Sequence, residues 1–344
     1  YFMEKLKLGI VGLGRLGMEY AKNISHSVHN AELFAACSIE KDEIEHVKNK
    51  FGVYNIYDSY DKMLKNKNID AIIIVSPTDH HPDHIIKALE SGFHVFCEKP
   101  LAISVSECYR VKKIVDKNKN KIAMLGFVRR YDKSYADAKV KLESGLVGKP
   151  FFIRSQTVDK DSYAPFQIEF CKSGGGIFHD FNVHDIDLVH WFSGVNIKKV
   201  WSLGGAYRFK EFGEKGDADN TYSMCELDNG SMALIGASRV SSFGHNTFTE
   251  IQATHGNLKI GDPPKKNLVQ ISDKYGIRHE CFETFFDRFE KAFISQIKDF
   301  INIVFERKKS DLTIDNALKA TLVASAMTKS FNEKKVIRVE DLVI

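Results

Sequence analysis

Leu6-Lys-Leu-Gly-Ile-Val11, followed at once by Gly12-Leu-Gly-Arg-Leu-Gly17 and then Met-Glu-Tyr-Ala21, decides the reading of the first half of the chain. The first six residues have the apolar, β-branched texture of a strand, and the last segment opens a helix. A G-x-G-x-x-G is a weak signal by itself. Between a strand and a helix it is the fingerprint of a dinucleotide-binding βαβ unit. Gly12 permits the tight turn, Gly14 lets the backbone approach a pyrophosphate, and Gly17 lets the helix pack closely on the strand. The N–H groups and dipole at the helix start then hold the phosphates.

Working outward, the pattern repeats. A second strand, Glu32–Cys37, ends at Ser38, about 20 residues beyond the glycines, where an Asp or Glu ordinarily accepts the ribose hydroxyls. Ser38 leaves room for a 2′-phosphate, but Glu40 would repel one and no arginine follows. The reading therefore leans to NAD and keeps NADP open. Next come a helix over 42–50, a short strand at 54–56 and a helix from Ser59, as N-cap, to Lys65. The strand Ala71–Val75 is apolar throughout, as befits a parallel strand covered on both faces. It runs into Ser76-Pro-Thr-Asp-His-His-Pro-Asp-His84 and a helix to Ser91. A fifth strand over 95–97, a helix over 104–118 and a sixth strand over 122–126 complete a doubly wound parallel sheet of about six strands. The spacing of His80, His81 and His84 is not that of a helical two-histidine zinc site, and no metal is expected. His81, on a loop leaving a central strand, could lie near the nicotinamide.

Glu98-Lys99-Pro100 stands where the fifth strand ends, in front of a proline that cannot extend the ladder. Ligands bind at the carboxyl ends of such strands. Lys99 is a candidate for proton chemistry, against the plainer reading of a solvated lysine.

After Gly126-Phe-Val-Arg-Arg-Tyr-Asp132 the texture changes. A helix over 134–144 leads to a long strand over 151–158. Asp228-Asn-Gly230 and His255-Gly-Asn257 read as hairpin turns, so a mostly antiparallel or mixed sheet with helices is expected. Helices over 284–307 and 313–331 close the chain, the second with a core-facing stripe of Ala317, Ala320, Ala324, Met327 and Phe331. Within Ser173-Gly-Gly-Gly-Ile-Phe-His-Asp-Phe-Asn-Val-His184, Asp180 and His184 are four apart and share a helix face. A carboxylate one turn from an imidazole can orient a general base. The alternative is an Asp-rich helix start with a satisfied histidine, and His179, Asp185, Asp187 and His190 read as structural or solvated. The domains expected are 3–128, for dinucleotide binding, and 129–344, an α+β domain for substrate and self-association. The closing helix is a candidate to pack back on the first domain.

Composition narrows the function. With 344 residues, 43% hydrophobic and 27% charged, the chain has room for about two globular domains. A net charge of +4, mixed along the chain, offers no concentrated basic face for nucleic acid. Six scattered cysteines without a C-x-x-C pair argue for a reducing compartment. No apolar run approaches the roughly 20 residues of a membrane span. No signal-peptide pattern is read, and Tyr1 and Phe2, ahead of Met3, read as an expression remnant. A cytoplasmic protein is expected.

The G-x-G-x-x-G, Glu98-Lys99-Pro100 and Asp180-x-x-x-His184, in that order, resemble the Gfo/Idh/MocA oxidoreductases over nearly the whole chain. The stretches Phe96–Leu101, Gly126–Asp132 and Ser173–Asp187 are most similar to the inositol 2-dehydrogenases of that family. The resemblance implies an NAD-dependent oxidation of a ring hydroxyl of a cyclic polyol, most simply myo-inositol to its 2-ketone. It implies Lys99, Asp180 and His184 as a catalytic triad, with Arg129 and Asp159 contacting the polyol. The cofactor contacts it implies are Gly12, Leu13, Gly14, Arg15 and Leu16, then Ser38, then Ser76, Pro77, Thr78 and His81, and finally Glu98 and Lys99. Self-association as a dimer or tetramer is expected by the same likeness. A scyllo-inositol or sugar dehydrogenase, a non-catalytic dinucleotide-binding regulator and an NAD-dependent glycosidase remain as alternatives.

Overall fold

The structure is a computed structural model that describes residues 5–171 and 173–343, so the expectation for Tyr1 and Phe2 and the domain start at residue 3 lie outside the described residues. The chain groups into two compact units. One runs to Val128 and includes Lys291–Leu318; the other holds Arg129–Glu290 and the residues from Lys319 onward.

The first unit is a six-stranded parallel sheet of β1 (Leu6–Val11), β2 (Ala31–Cys37), β3 (Asn55–Tyr57), β4 (Ala71–Ile74), β5 (His94–Glu98) and β6 (Ala123–Gly126). Helices α1 (Arg15–Ser27), α2 (Lys41–Phe51), α3 (Tyr60–Met63), α4 (His81–Glu90) and α5 (Val105–Lys117) alternate with the strands. The strand order is β3-β2-β1-β4-β5-β6, the doubly wound arrangement read from the sequence. Four wholly buried residues make up β4, three of them isoleucine, each worth about 1.5–3 kcal/mol on leaving water. The reversal of strand order between β1 and β4 opens the crevice where ligands bind in such sheets. Ser104 caps α5 by accepting from Glu107 N at 3.2 Å. The helix expected over 59–65 is one turn only, and the Ser59 side chain makes no capping bond. A turn that returns Asn66 N to Met63 O stops it. Residues 291–318 group here: Phe293 and Gln296 meet Tyr20, and Leu125 N donates to Leu312 O.

The second unit is built on β7 (Pro150–Lys160), β8 (Ile197–Gly205), β9 (Asn220–Leu227), β10 (Met232–Ser241), β11 (Asn246–Ala253) and β12 (Gly256–Ile260). A small hairpin follows, β13 (Ile271–Asp273) with β14 (Gly276–Arg278), and β15 (Ile337–Arg338) adds an edge. The large sheet has the order β12-β11-β7-β10-β9-β8-β15. Only the β7–β10 pair in it is parallel, so the sheet is mixed and mostly antiparallel. Both expected hairpins form. Helices α6 (Lys133–Glu143), α7 (Ala164–Phe170), α8 (Val183–Ser193) and α9 (Lys210–Glu214) belong to this unit, while α10 (Phe285–Glu306) and α11 (Ile314–Glu333) each divide between the two groupings. One face of the sheet is covered, with Ile153, Ile235, Cys225 and Ile251 buried. The other leaves Trp201, Leu203, Tyr222, Met224 and Met232 each at least 44% exposed. Among the described residues no helix is long and apolar enough to cross a membrane.

Candidate active site

The glycine turn has the shape its sequence requires. Gly12 has φ +87°, and a Cβ there would stand 2.5 Å from Ser76 N. A Cβ on Gly17 would stand 2.1 Å from Gly12 O, so helix and turn pack too tightly for any side chain. Gly14 faces open space. It is also the N-cap of α1, which has neither a side-chain capping bond nor an acidic residue in its first turn. This is a cradle for phosphate: open, uncapped and at the positive end of a helix. Its residues fit a dinucleotide cofactor. Leu13, expected among the cofactor contacts, is 1% exposed, while Arg15 is exposed and Leu16 partly so.

Gly12 N donates to Cys37 O at 3.1 Å, which brings the end of β2 beside the turn. There Ser38 Oγ donates to Glu43 Oε2 at 2.5 Å and accepts from Glu40 N at 3.1 Å. After β4, Ser76 and Pro77 are partly or fully open, whereas Thr78 is 5% exposed. His84 Nδ1 meets Ser76 Oγ at 2.9 Å, and His84 packs on Tyr60 with ring centroids 4.2 Å apart. Burial lowers the His84 pKa to about 4. No group of three or more His, Cys, Asp or Glu side chains placed to hold a metal occurs among the described residues.

Two residues expected to touch the cofactor stand behind that surface instead. His81 is 2% exposed, with Nδ1 2.8 Å from Pro100 O and Nε2 2.8 Å from Ser76 O. Burial lowers its pKa, and the two carbonyls act against that. It ties the loop after β4 to the turn after β5. Glu98 is 4% exposed; one oxygen accepts from Tyr20 OH and the other from Lys99 N at 3.0 Å. Gln296 Nε2 donates to Tyr20 OH at 2.8 Å. Burial raises the Glu98 pKa from 4.5 to about 7, against the opposing pull of the Tyr20 hydroxyl, the Lys99 charge and the Lys99 N–H. Sequence could not give this, because the polar partners come from α1 and α10. The side chain of Lys99 is the exception in its neighbourhood: every residue from Val95 to Ala102 is buried except Lys99.

The same pattern marks the second unit. Every residue from Ile177 to Val189 is buried except Asp180 and His184. Their spacing predicts one regular α-helix, and the structure differs. Phe178–Asn182 is a π-helical turn and His184 belongs to the first turn of α8. Single π turns recur at functional sites. This one is pinned where Ile177 N donates to Asp217 Oδ1 at 3.0 Å and Asn182 Nδ2 to Gly236 O at 3.1 Å. The neighbours have internal tasks. Asp185, 0% exposed, accepts from Arg129 Nη1 at 2.9 Å, Ser155 Oγ at 2.7 Å and Thr157 Oγ1 at 2.7 Å. Asp187 pairs with Arg130 through contacts of 2.5 and 2.8 Å. His179 lies between Gly175 O and Ser325 Oγ, and burial lowers its pKa to about 4.

Arg129, expected to contact substrate, is 3% exposed, and its two Nη groups go to Asp185 and Thr157. It braces α8 on β7. Asp159 is held by Gln167 Nε2 at 2.8 Å and by His245 Nδ1 at 2.6 Å. His245 carried no signal in the sequence. Strand register makes the couple, since Asn246 pairs with Val158 and so sets His245 beside Asp159. Its Nε2 is buried and has no hydrogen-bond partner among the described residues.

Residues 6–127 match the family model of an oxidoreductase family with an NAD-binding Rossmann fold, and residues 135–259 match the Gfo/Idh/MocA C-terminal domain. A scyllo-inositol 2-dehydrogenase (NAD(+)) of Bacillus subtilis is 34% identical over 328 residues, covering 95% of this chain and 94% of that one.

The chain belongs to the Gfo/Idh/MocA oxidoreductase family.

Another similar protein is a myo-inositol 2-dehydrogenase of Thermotoga maritima, 27% identical over 341 residues, with 98% and 100% of the two chains covered. Among solved structures, scyllo-inositol dehydrogenase from Lactobacillus casei with bound NAD(H) and scyllo-inositol superposes with a TM-score of 0.95 at 33% identity. That match covers 98% of this chain and 100% of the other. As a Gfo/Idh/MocA oxidoreductase the chain is a dehydrogenase that uses NAD.

Proposed function

We propose that this protein oxidises a ring hydroxyl of an inositol to a ketone with NAD, using Lys99, Asp180 and His184. The observation that carries the assignment is the pattern of exposure: each of the three is the open position, or one of two, in an otherwise buried run. Ionisable side chains kept partly open to solvent within otherwise buried runs are candidates for chemistry done there. His184 takes the proton of the substrate hydroxyl, and Asp180 orients the imidazole and favours its charged form. Lys99 hydrogen-bonds to the oxygen and offsets the charge that develops on it. Bound NAD supplies the hydride acceptor. Glycines 12, 14 and 17 and the start of α1 hold its phosphates. The relatives' names divide between myo- and scyllo-inositol, which are epimers at the carbon oxidised and yield the same ketone.

The test is absorbance at the reduced-nicotinamide band with NAD over a panel of inositols and hexoses. Reduction with one or both inositols at low concentration, and poor reduction with hexoses, supports the reading. A hexose preferred over every inositol would refute it.

The same reading includes self-association through the open face of the large sheet. Trp201 lies opposite Met224, Leu203 opposite Tyr222 and Met224 opposite Leu234, forming one continuous apolar surface across β8, β9 and β10. A contiguous exposed patch of this kind marks an interaction surface, and a second copy of the chain satisfies it by two-fold symmetry.

A further inference from the structure

We propose that Glu43 selects NAD over NADP, doing from the first turn of α2 what an acidic residue at the end of β2 does in other dinucleotide-binding sheets. The inference rests on the NAD-binding reading of the first unit and assigns the residue that enforces it. The position about 20 residues beyond the glycines holds Ser38, which has no charge to repel a 2′-phosphate. Yet the Ser38 hydroxyl is committed. Its proton goes to Glu43 Oε2 at 2.5 Å, and it accepts from Glu40 N at 3.1 Å. Serine thus acts as a bracket that fixes a carboxylate beside the end of β2.

That strand end abuts the phosphate cradle, because Cys37 O accepts from Gly12 N at 3.1 Å. Ser38 is 8% exposed and Glu43 half-buried, so the carboxylate is partly desolvated and held in place. An anchored carboxylate accepts a ribose hydroxyl at little entropic cost and repels a phosphate more strongly than one swinging in water. Ser38 itself cannot donate to a phosphate while its proton serves Glu43. The other charges nearby are less suited. Glu40, which the sequence alone suggested as the repelling group, is an exposed N-cap residue whose backbone, not its side chain, is the part bonded to Ser38. Lys41 is exposed, and Ile39, where a phosphate-binding arginine would serve, is 85% exposed and apolar.

The experiment measures binary binding of NADH and NADPH by nicotinamide fluorescence, without turnover, in the full chain and three variants. The unaltered chain should prefer NADH. Glu43→Gln should narrow that preference by about tenfold or more, equivalent to about 1.4 kcal/mol, mainly by tightening NADPH, while Glu40→Gln should leave it unchanged. Ile39→Arg added to Glu43→Gln should move the preference to NADPH. Thermal unfolding of each variant confirms that it is folded. A preference unmoved by Glu43→Gln, or moved as much by Glu40→Gln, would overturn the assignment. An unaltered chain that binds neither cofactor would instead overturn the NAD-binding reading beneath it, so the two failures are distinct.

Discussion

Replacing Glu98 by Gln should change how stability depends on pH, and the structure sets both sign and size. The carboxyl is 4% exposed and bonded to Tyr20 and to the backbone of Lys99. Burial holds its pKa at about 7, against 4.5 for the free group. The folded chain therefore keeps a proton that the unfolded chain has lost. Stability conferred by the protonated carboxyl is complete below about pH 4.5 and drains away as pH rises to about 7, at up to 1.36 kcal/mol per unit. The total is about 3 kcal/mol, with little further change above pH 7. Glutamine has the shape of the neutral acid and no proton to lose. His179 works in the opposite direction: its pKa, lowered by burial to about 4, makes stability fall on acidification. It is present in both proteins and cancels in the difference. Paired urea unfolding at about pH 5 and about pH 8 reads that difference. Because the unaltered protein has already lost part of that stability at pH 5, Glu98→Gln should gain about 2.5 kcal/mol on it between the two pH values. A difference constant to within about 0.5 kcal/mol would show that Glu98 ionises normally, and the reasoning from burial would fail.

Three further outcomes follow from the same geometry. Arg129→Met should cost about 3–5 kcal/mol in urea unfolding, because it strands Asp185 as an uncompensated buried charge; a variant of full stability with a raised KM for polyol would return Arg129 to substrate binding. Trp201→Glu should shift the sedimentation coefficient to that of a monomer, since a charge placed on the open sheet face opposes its burial. Unchanged sedimentation would remove that face from the interface. Gly17→Ala should abolish measurable NADH binding or folding, as its methyl would stand 2.1 Å from Gly12 O; normal NADH affinity would mean the turn can relax.

Most of the fold was legible because hydrophobic period and turn chemistry are local. The apolar run Ala71–Ile74, the glycines after β1 and the Asp228-Asn-Gly230 turn each carry their own instruction. Lys99, Asp180 and His184, the partly open positions to which the proposed function gives the chemistry, also sit in short recognisable motifs. The supporting residues were not legible. Glu98 draws its partners from Tyr20 and Gln296, which are 78 and 198 positions away in the chain. Arg129 and Asp185 look like surface charges until β7 and α8 close over them. Asp159 and His245 meet only through the β7–β11 register. The π turn at 178–182 is equally silent, because its residues would suit an α-helix. A sequence shows which side chains can do chemistry more readily than which ones the fold consumes to hold them.

On the proposed function Lys99 works on the transferred proton and contributes little to holding the cofactor. This central claim is tested most directly by Lys99→Ala, with NADH affinity and inositol-dependent NAD reduction measured on the same preparation. The account predicts NADH binding within a few-fold of the unaltered protein and a loss of turnover of at least about 10²-fold, the usual scale for removing a group that works on the transferred proton. Turnover within a few-fold of normal, with NADH still bound, would contradict it.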